Sequence, residues 1–283
     1  MLAHAIGRSL ARRGLVFTGV DRDECDITDP APVRAAFERH RPTLVVNCAA
    51  YTAVDKAEQE EELATRINGE GPGNLANACR EHGAMLVHYS TDFVFDGRGE
   101  RPYRVDDKPD PVSAYGRSKL AGEVAIEQSG HADWLTLRTA WLYGPVGEGG
   151  GRPFPKVMLD VARAGKPLKV VSDQRGSPTF TFDLAEATLD LLDAGARGLF
   201  HATNAGETTW FGFAKATLDC FHVTPTELAP TTAAEWAKMK PDSAHRPAYS
   251  VLDLSRLEQA IGRPMRPWDT ALRDYCALTA GEP

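Results

Sequence analysis

Segments with a helical period alternate with short apolar runs from the first residue onward, and this alternation constrains the fold more than any other feature. Residues 1–13 set Leu2, Ile6 and Leu10 on one face and Arg8, Arg12 and Arg13 largely elsewhere, and Gly14 stands at a C-cap position. Residues 15–20 read as a short apolar strand followed by Asp21 and Arg22. Residues 33–37 start a helical turn, and Leu44-Val45-Val46 reads as a buried strand. Helix and strand in turn predict right-handed crossovers and a parallel sheet. The expected fold is α/β: a doubly wound, Rossmann-like parallel sheet with a smaller C-terminal α/β substrate domain.

Further along, residues 58–66 and 73–82 are helix-patterned, residues 84–89 form a strand, and residues 97–111 are a polar loop rich in Gly, Pro and Asp. A strand at 134–138, a flexible run at 147–153, a helix at 156–163, a strand at 168–171 and a helix at 183–192 follow. Amphipathic stretches at 211–221 and 268–275 complete the chain. The expected division is a dinucleotide-binding domain over residues 1–155 and a mainly substrate-binding domain over 156–283, with a soft boundary and interleaved segments. A doubly wound fold normally opens with a strand and a glycine-rich turn that admits a pyrophosphate. This sequence shows neither before residues 1–13, so about a dozen N-terminal residues are expected to be absent; the competing expectation is a protein that has lost cofactor binding.

The 283 residues are 42% hydrophobic and 25% charged, enough for a full globular core. A net charge of −7 gives no basic footprint for nucleic acid or an anionic membrane. No apolar run approaches the roughly 20 residues needed to span a bilayer, and no signal-peptide pattern opens the chain. The expectation is cytoplasmic. Cys25, Cys48, Cys79, Cys220 and Cys276 are scattered without Cys-x-x-Cys spacing, which argues against a disulfide framework or a zinc site.

The chemistry concentrates in two stretches, Ser90-Thr91-Asp92 and Ser113-Ala114-Tyr115-Gly116-Arg117-Ser118-Lys119. The first ends a predicted strand, at the sheet edge where ligands bind in such folds. If Ser113 starts a helix, Tyr115 and Lys119 project from one face four residues apart. An ammonium there is expected to lower the Tyr115 pKa and make the phenol a proton donor near neutral pH. Tyr-x-x-x-Lys alone is also an ordinary helical pair, and Thr91 nearby is what turns it toward catalysis.

Several separated motifs, Cys25-Asp26-Ile27-Thr28-Asp29-Pro30, Asn47 through Glu58, Ser90 through Gly97, Tyr115 through Lys119, Gly176-Ser177-Pro178-Thr179 and Arg246-Pro247, stand in one order along nearly the whole chain. This order resembles the dTDP-4-dehydrorhamnose reductases of the extended short-chain dehydrogenase/reductase superfamily. The resemblance implies reduction of the C4 keto group of dTDP-4-dehydro-L-rhamnose to dTDP-L-rhamnose with NADPH or NADH. It assigns Tyr115 as proton donor, Thr91 as the hydroxyl on the same oxygen, and Lys119 to the nicotinamide ribose and Tyr115. Asp26 and Ile27 would lie by the adenine, Ala49, Ala50 and Tyr51 along the pyrophosphate and ribose, and Asp21 or Arg22 at the adenosine ribose. Asp21 suits NAD and Arg22 suits NADP. Asp92 and Phe93 join Thr91 at the sugar, Trp141 would pack against it, and Arg246 with Arg175 would meet the diphosphate.

Phe93 departs from the tyrosine common at that position in the family, which leaves the sugar less defined than the chemistry. Sugar-nucleotide 4,6-dehydratases typically carry Thr-Asp-Glu there, and Phe93 supplies no such carboxylate. Two alternatives stay open: reduction of another dTDP-4-keto-6-deoxysugar, and a non-catalytic dinucleotide-binding role resembling the regulatory beta subunit of methionine adenosyltransferase. No metal is expected in the chemical step. A homodimer is an open expectation.

Overall fold

The computed structural model of the chain describes residues 1–147 and 151–279. Three strands set its frame: β1 (Leu44–Asn47), β2 (Met85–Thr91) and β3 (Trp134–Thr139). With the strand Gly198–His201 they form a four-stranded sheet in that order, every pair parallel. Parallel neighbours need crossovers, and helices supply them. The first six helices are α1 (Leu2–Arg12), α2 (Pro30–His40), α3 (Val54–Ala57), α4 (Glu61–Thr65), α5 (Gly71–His82) and α6 (Ala114–Gln128).

Successive residues of β2 face opposite layers. Met85, Val87 and Tyr89 pack with Ala5, Ile6 and Leu10 of α1 and with Leu184, Ala187 and Leu191 of the helix Thr181–Asp193. Leu86 faces the other way, onto Val33 and Phe37 of α2, Leu75 and Cys79 of α5 and Ile126 of α6. Both faces of the sheet are therefore covered, as a doubly wound fold requires. At the rim of the first layer Arg13 spans Glu186, Asp190 and Asp193.

Helix boundaries follow local chemistry. Asp29 caps α2 by accepting the Ala31 N–H, with Pro30 at its first position. Gly83 ends α5 in the left-handed region, φ 68°. The helix patterns read at 58–66 and 73–82 are joined by a π-helical turn, Arg66–Glu70, so residues 61–82 run as one helical path. Pro72 brings no N–H to the ladder just beyond that turn.

Residues 15–20, expected as a strand, form no strand. A run becomes a strand only where a neighbour takes up its backbone N–H and C=O groups, and no described strand lies beside it. Val16 is 101% exposed, while the Phe17 ring folds back against Gly7 of α1. The strand Gly198–His201 and the helices Ala233–Met239 and Ser255–Ile261 carry too few periodic positions to have been read from sequence. Gly198–His201 joins the main sheet although it lies beyond residue 155, and the helix Thr181–Asp193 packs on α1. The segments after residue 155 thus supply both the sheet and a separate layer, where Leu168–Val171 pairs with Leu228–Thr231. Of the flexible run at 147–153, residues 148–150 lie outside the described residues. Among the described residues no helix is long and apolar enough to cross a membrane.

Candidate active site

The carboxyl end of β2 delivers Thr91, and a 3-10 turn, Asp92–Val94, carries the chain away from the sheet. Thr91 is 5% exposed; its hydroxyl donates to Asp92 Oδ1 at 3.0 Å and accepts the Phe93 N–H at 3.2 Å. Ser113 starts α6 as expected, its hydroxyl accepting the Gly116 N–H at 3.1 Å. The first turn of α6 rests on the Phe93 carbonyl and Pro111, so close that a Cβ at Gly116 would stand 2.9 Å from Pro111 Cβ. Glycine there lets Tyr115 approach β2. The Tyr115 and Phe93 rings meet edge to face at 5.6 Å between centroids, and the Thr91 hydroxyl faces the Tyr115 phenol closely enough to pull its pKa down. The Tyr115 carbonyl accepts the Ser118 hydroxyl at 2.8 Å.

Asn68, placed by the π-helical turn, locks the rear of this arrangement. Its Oδ1 accepts the Tyr51 N–H at 2.8 Å, and its Nδ2 donates to the Tyr51 carbonyl at 3.0 Å and to Ser118 Oγ at 3.0 Å. Tyr51 therefore connects to α6 one turn from Tyr115.

Burial governs the ionisation of the site. It pushes the Tyr115 phenol up to about 12; the Thr91 hydroxyl pulls the other way and the Asp92 carboxylate adds to the rise. Burial also raises Asp92 to about 6, against the Ser250 and Thr91 hydroxyls, and lowers Lys119 to about 8, with Glu123 opposing. The expected lowering of the Tyr115 pKa by Lys119 is thus not what this structure has. Lys119 Nζ instead donates to the Tyr89 carbonyl at 2.5 Å and lies 3.3 Å from His88 Nε2, and among the described residues no cation offsets the desolvation of the phenol. At neutral pH Tyr115 is a protonated acid.

These shifts carry a stability prediction. Asp92 holds its proton more tightly folded than unfolded, so its contribution is present below about pH 4 and lost as pH rises through about 6. Relative to Asp92→Asn, the native chain should lose about 3 kcal/mol across that window, read from urea midpoints at successive pH values.

The other sequence-derived residues fall around this centre. Ala49 and Ala50 are exposed beyond the carboxyl end of β1, and Ala49 N–H is held by Asn47 Oδ1. The Tyr51 hydroxyl donates to Glu60 at 2.7 Å. Asp21 accepts the Asp23 and Glu24 N–H groups, and Arg22, its side chain 84% exposed, reaches Asp26 at 3.6 Å. Asp26 otherwise accepts from the Thr28 backbone and hydroxyl. Ile27 is a core residue against Gly71, and its carbonyl is taken by Asn74.

On the sugar side, Arg175 pairs with Glu207 and Arg246 with Asp55, each at 2.7 Å. Both guanidiniums are engaged by carboxylates. The segment from Arg246 to Ser250 runs beside Arg175, whose N–H donates to the Ala248 carbonyl, and Tyr249 N–H donates to Gly97. Trp141, at φ 48°, stacks on Trp210 at 3.6 Å and 8°, and its indole lies against Gly176. One face of the ring expected to pack on sugar is covered by protein.

The arrangement is a hydroxyl and a protonated phenol on one spot at the carboxyl edge of a parallel sheet, with a buried lysine behind. A family model, the RmlD substrate binding domain, matches residues 1–280. The chain belongs to that family.

Several named proteins resemble it over nearly their full length. The dTDP-4-dehydrorhamnose reductase of Streptomyces griseus is 45% identical over 287 residues, covering 99% of this chain and 91% of that protein. The dTDP-4-keto-6-deoxy-D-glucose reductase of Streptomyces niveus is 40% identical over 274 residues, 95% and 92% of the two. Among solved structures, the dTDP-4-dehydrorhamnose reductase of Bacillus anthracis in complex with NADP superposes with a TM-score of 0.91 at 32% identity, over 98% and 95% of the two chains. The expected Rossmann-like α/β fold and the family resemblance are both borne out.

Sequence reading missed five residues around the RmlD-family centre: Asn47, Asn68, His88, Trp210 and Ser250. Asn68 needed the π-helical turn and Trp210 is far from the motifs in sequence, whereas Ser250 follows closely on Arg246-Pro247 and its place beside Asp92 arises only from packing. His88 carried a usable signal, being a polar residue inside an otherwise apolar strand two positions before Ser90.

Proposed function

We propose that this chain reduces the C4 keto group of dTDP-4-dehydro-L-rhamnose to dTDP-L-rhamnose, with NADPH or NADH as the reductant. The observation that carries the reading is that the Thr91 hydroxyl and the Tyr115 phenol are brought together at the carboxyl end of β2. A ketone oxygen gains negative charge as its carbon is reduced, and it needs a proton and a hydrogen bond at that point. Tyr115, protonated at neutral pH, gives the proton to that oxygen, and Thr91 gives the hydrogen bond. Neither Phe93 nor any group on its ring does acid or base work; it fixes the Tyr115 ring edge to face.

The donor set fits a nicotinamide dinucleotide. Lys119 is a buried lysine one turn along α6 from the proton donor, suited to ribose hydroxyls, and, with the Ala49 N–H held by Asn47, the exposed Ala50 backbone after β1 would meet a pyrophosphate. The bound cofactor supplies the hydride. Asp21 and Arg22, both exposed, would read the second ribose; Asp21 suits a 2′-hydroxyl and Arg22 a 2′-phosphate. Arg175 and Arg246 would exchange their carboxylate partners for the substrate diphosphate, and Trp141 would meet the sugar by the part of the ring that Trp210 leaves open. The reaction takes place in the cytoplasm, in keeping with five cysteines that are all free.

NADPH and NADH oxidation measured side by side with dTDP-4-dehydro-L-rhamnose tests the reading; no turnover with either overturns it. A second reading keeps the chemistry and changes the sugar to another dTDP-4-keto-6-deoxysugar. It is favoured by Phe93 and by the 40% identity to the Streptomyces niveus reductase, and a panel of such sugars ranked by kcat/KM separates the two.

A further inference from the structure

Among the described residues, Arg41, Trp141 and His222 are the residues other than glycine with φ in the left-handed region. Arg41 and His222 follow helix ends, where such a turn is usual. Trp141 ends no helix. It stands between Thr139, the last residue of β3, and the short strand Leu142–Tyr143, and an aromatic residue at φ 48° persists there only where its surroundings over-determine it. The turn falls beside the reacting centre, because Thr139 lies opposite Thr91 in the register of β3 with β2.

The main chain of Trp141 is held by Thr179, whose N–H donates to the Trp141 carbonyl at 3.2 Å. Its indole is fixed by two residues from one antiparallel ribbon, in which Arg175 pairs with Thr209 and Gly176 with Thr208. The Thr209 hydroxyl accepts the Gly212 N–H at 3.0 Å and starts the helix Trp210–Cys220. Trp210 therefore leaves the ribbon as the first helical residue and lays its ring on Trp141 at 3.6 Å and 8°, with Phe154 packed on Trp210 at 4.8 Å. Gly176 comes from the other strand. A Cβ there would stand 2.6 Å from Trp141 Cε2 and 2.7 Å from Cζ2 and Nε1, and the Gly176 φ lies outside the left-handed region. Space for the indole, not backbone conformation, calls for glycine at this position.

We infer that Trp210 and Gly176 are positioning residues for Trp141: the Trp210 ring covers one face of the indole, the bare Gly176 backbone gives it room, and together they hold it so that its uncovered part forms a wall of the sugar site. Neither residue has to touch the sugar. Arg175 belongs to the same ribbon, so the aromatic wall and that guanidinium are placed as one body. Only the identity of the ligand rests on the proposed reduction; the placement of the indole stands on these contacts.

Steady-state kinetics with a double-mutant cycle tests the inference. Trp210→Ala and Gly176→Ala should each raise KM for the keto sugar about tenfold, with kcat within about threefold of native and dinucleotide affinity unmoved. Trp210→Phe keeps an aromatic face and should hold KM within about threefold of native. In a Trp141→Ala background neither Trp210→Ala nor Gly176→Ala should change KM by more than about twofold, because the indole that they place is gone. An increase of equal size with and without Trp141 overturns the inference, and so does a native KM in Trp141→Ala or in both single variants. Proton–nitrogen NMR of the indole N–H groups reads the placement without substrate, the Trp141 signal being assigned from Trp141→Phe. Gly176→Ala retains the Trp210 ring and should shift the Trp141 signal, since the added Cβ displaces the indole; an unmoved signal overturns the positioning. A native chain inert toward the keto sugar overturns the reductase reading, while that signal still decides whether Gly176 and Trp210 place Trp141.

Discussion

Tyr115→Phe should lower turnover of the keto sugar by about 10²- to 10⁴-fold while leaving dinucleotide affinity within a few-fold of native. The substitution removes one oxygen and its proton and keeps the ring that meets Phe93 edge to face. The fold should be unaffected, because α6 is placed by the Ser113 cap, the Gly116 contact and the Asn68–Ser118 bond, none of which uses the phenol. The loss should therefore appear in kcat, since the proton is needed as charge develops on the ketone oxygen and not when the sugar binds. Steady-state kinetics and a dinucleotide titration check it together. Native kcat in the variant would remove Tyr115 from the proton-donor role.

Thr91→Val should cost about 10²-fold in kcat, the scale of removing one hydrogen-bond donor from a developing oxyanion. The side chains are nearly the same size, but two hydrogen bonds end, the one to Asp92 Oδ1 and the acceptance of the Phe93 N–H, and with them the pull of the hydroxyl on the Tyr115 phenol. Because the Thr91 hydroxyl is what pulls the Tyr115 pKa down, its removal should also move the alkaline limb of the rate profile upward. The sign is definite: a donor to the phenolate is lost, so the protonated phenol persists to higher pH. A pH–kcat profile of the variant checks both effects, and an unchanged kcat would show that Thr91 does not touch the reacting oxygen.

The fold was legible where period and composition acted locally. The amphipathic face of α1, the apolar strand of β2 and the Ser113 cap of α6 are short-range signals, and each formed as expected. The run at 15–20 shows the limit: its apolar pattern suits a strand, yet strand formation depends on a partner that pattern cannot supply. Thr91 and Tyr115 could be placed together because one ends a strand and the other opens the next long helix. The electrostatics could not. Helical spacing put Lys119 on the Tyr115 side of α6, but the lysine found a carbonyl and a histidine of β2, and burial then governed the phenol. Arg175 and Arg246 likewise met Glu207 and Asp55, whose proximity arises only from long-range packing.

Transfer of deuterium from NADPH labelled at the nicotinamide C4 to dTDP-4-dehydro-L-rhamnose tests the account most directly. The product should be dTDP-L-rhamnose with deuterium on its C4 carbon, formed at the rate of NADPH oxidation and nearly abolished by Tyr115→Phe. NADPH consumption without label at that carbon, or labelled product formed equally fast by the Phe variant, would contradict it.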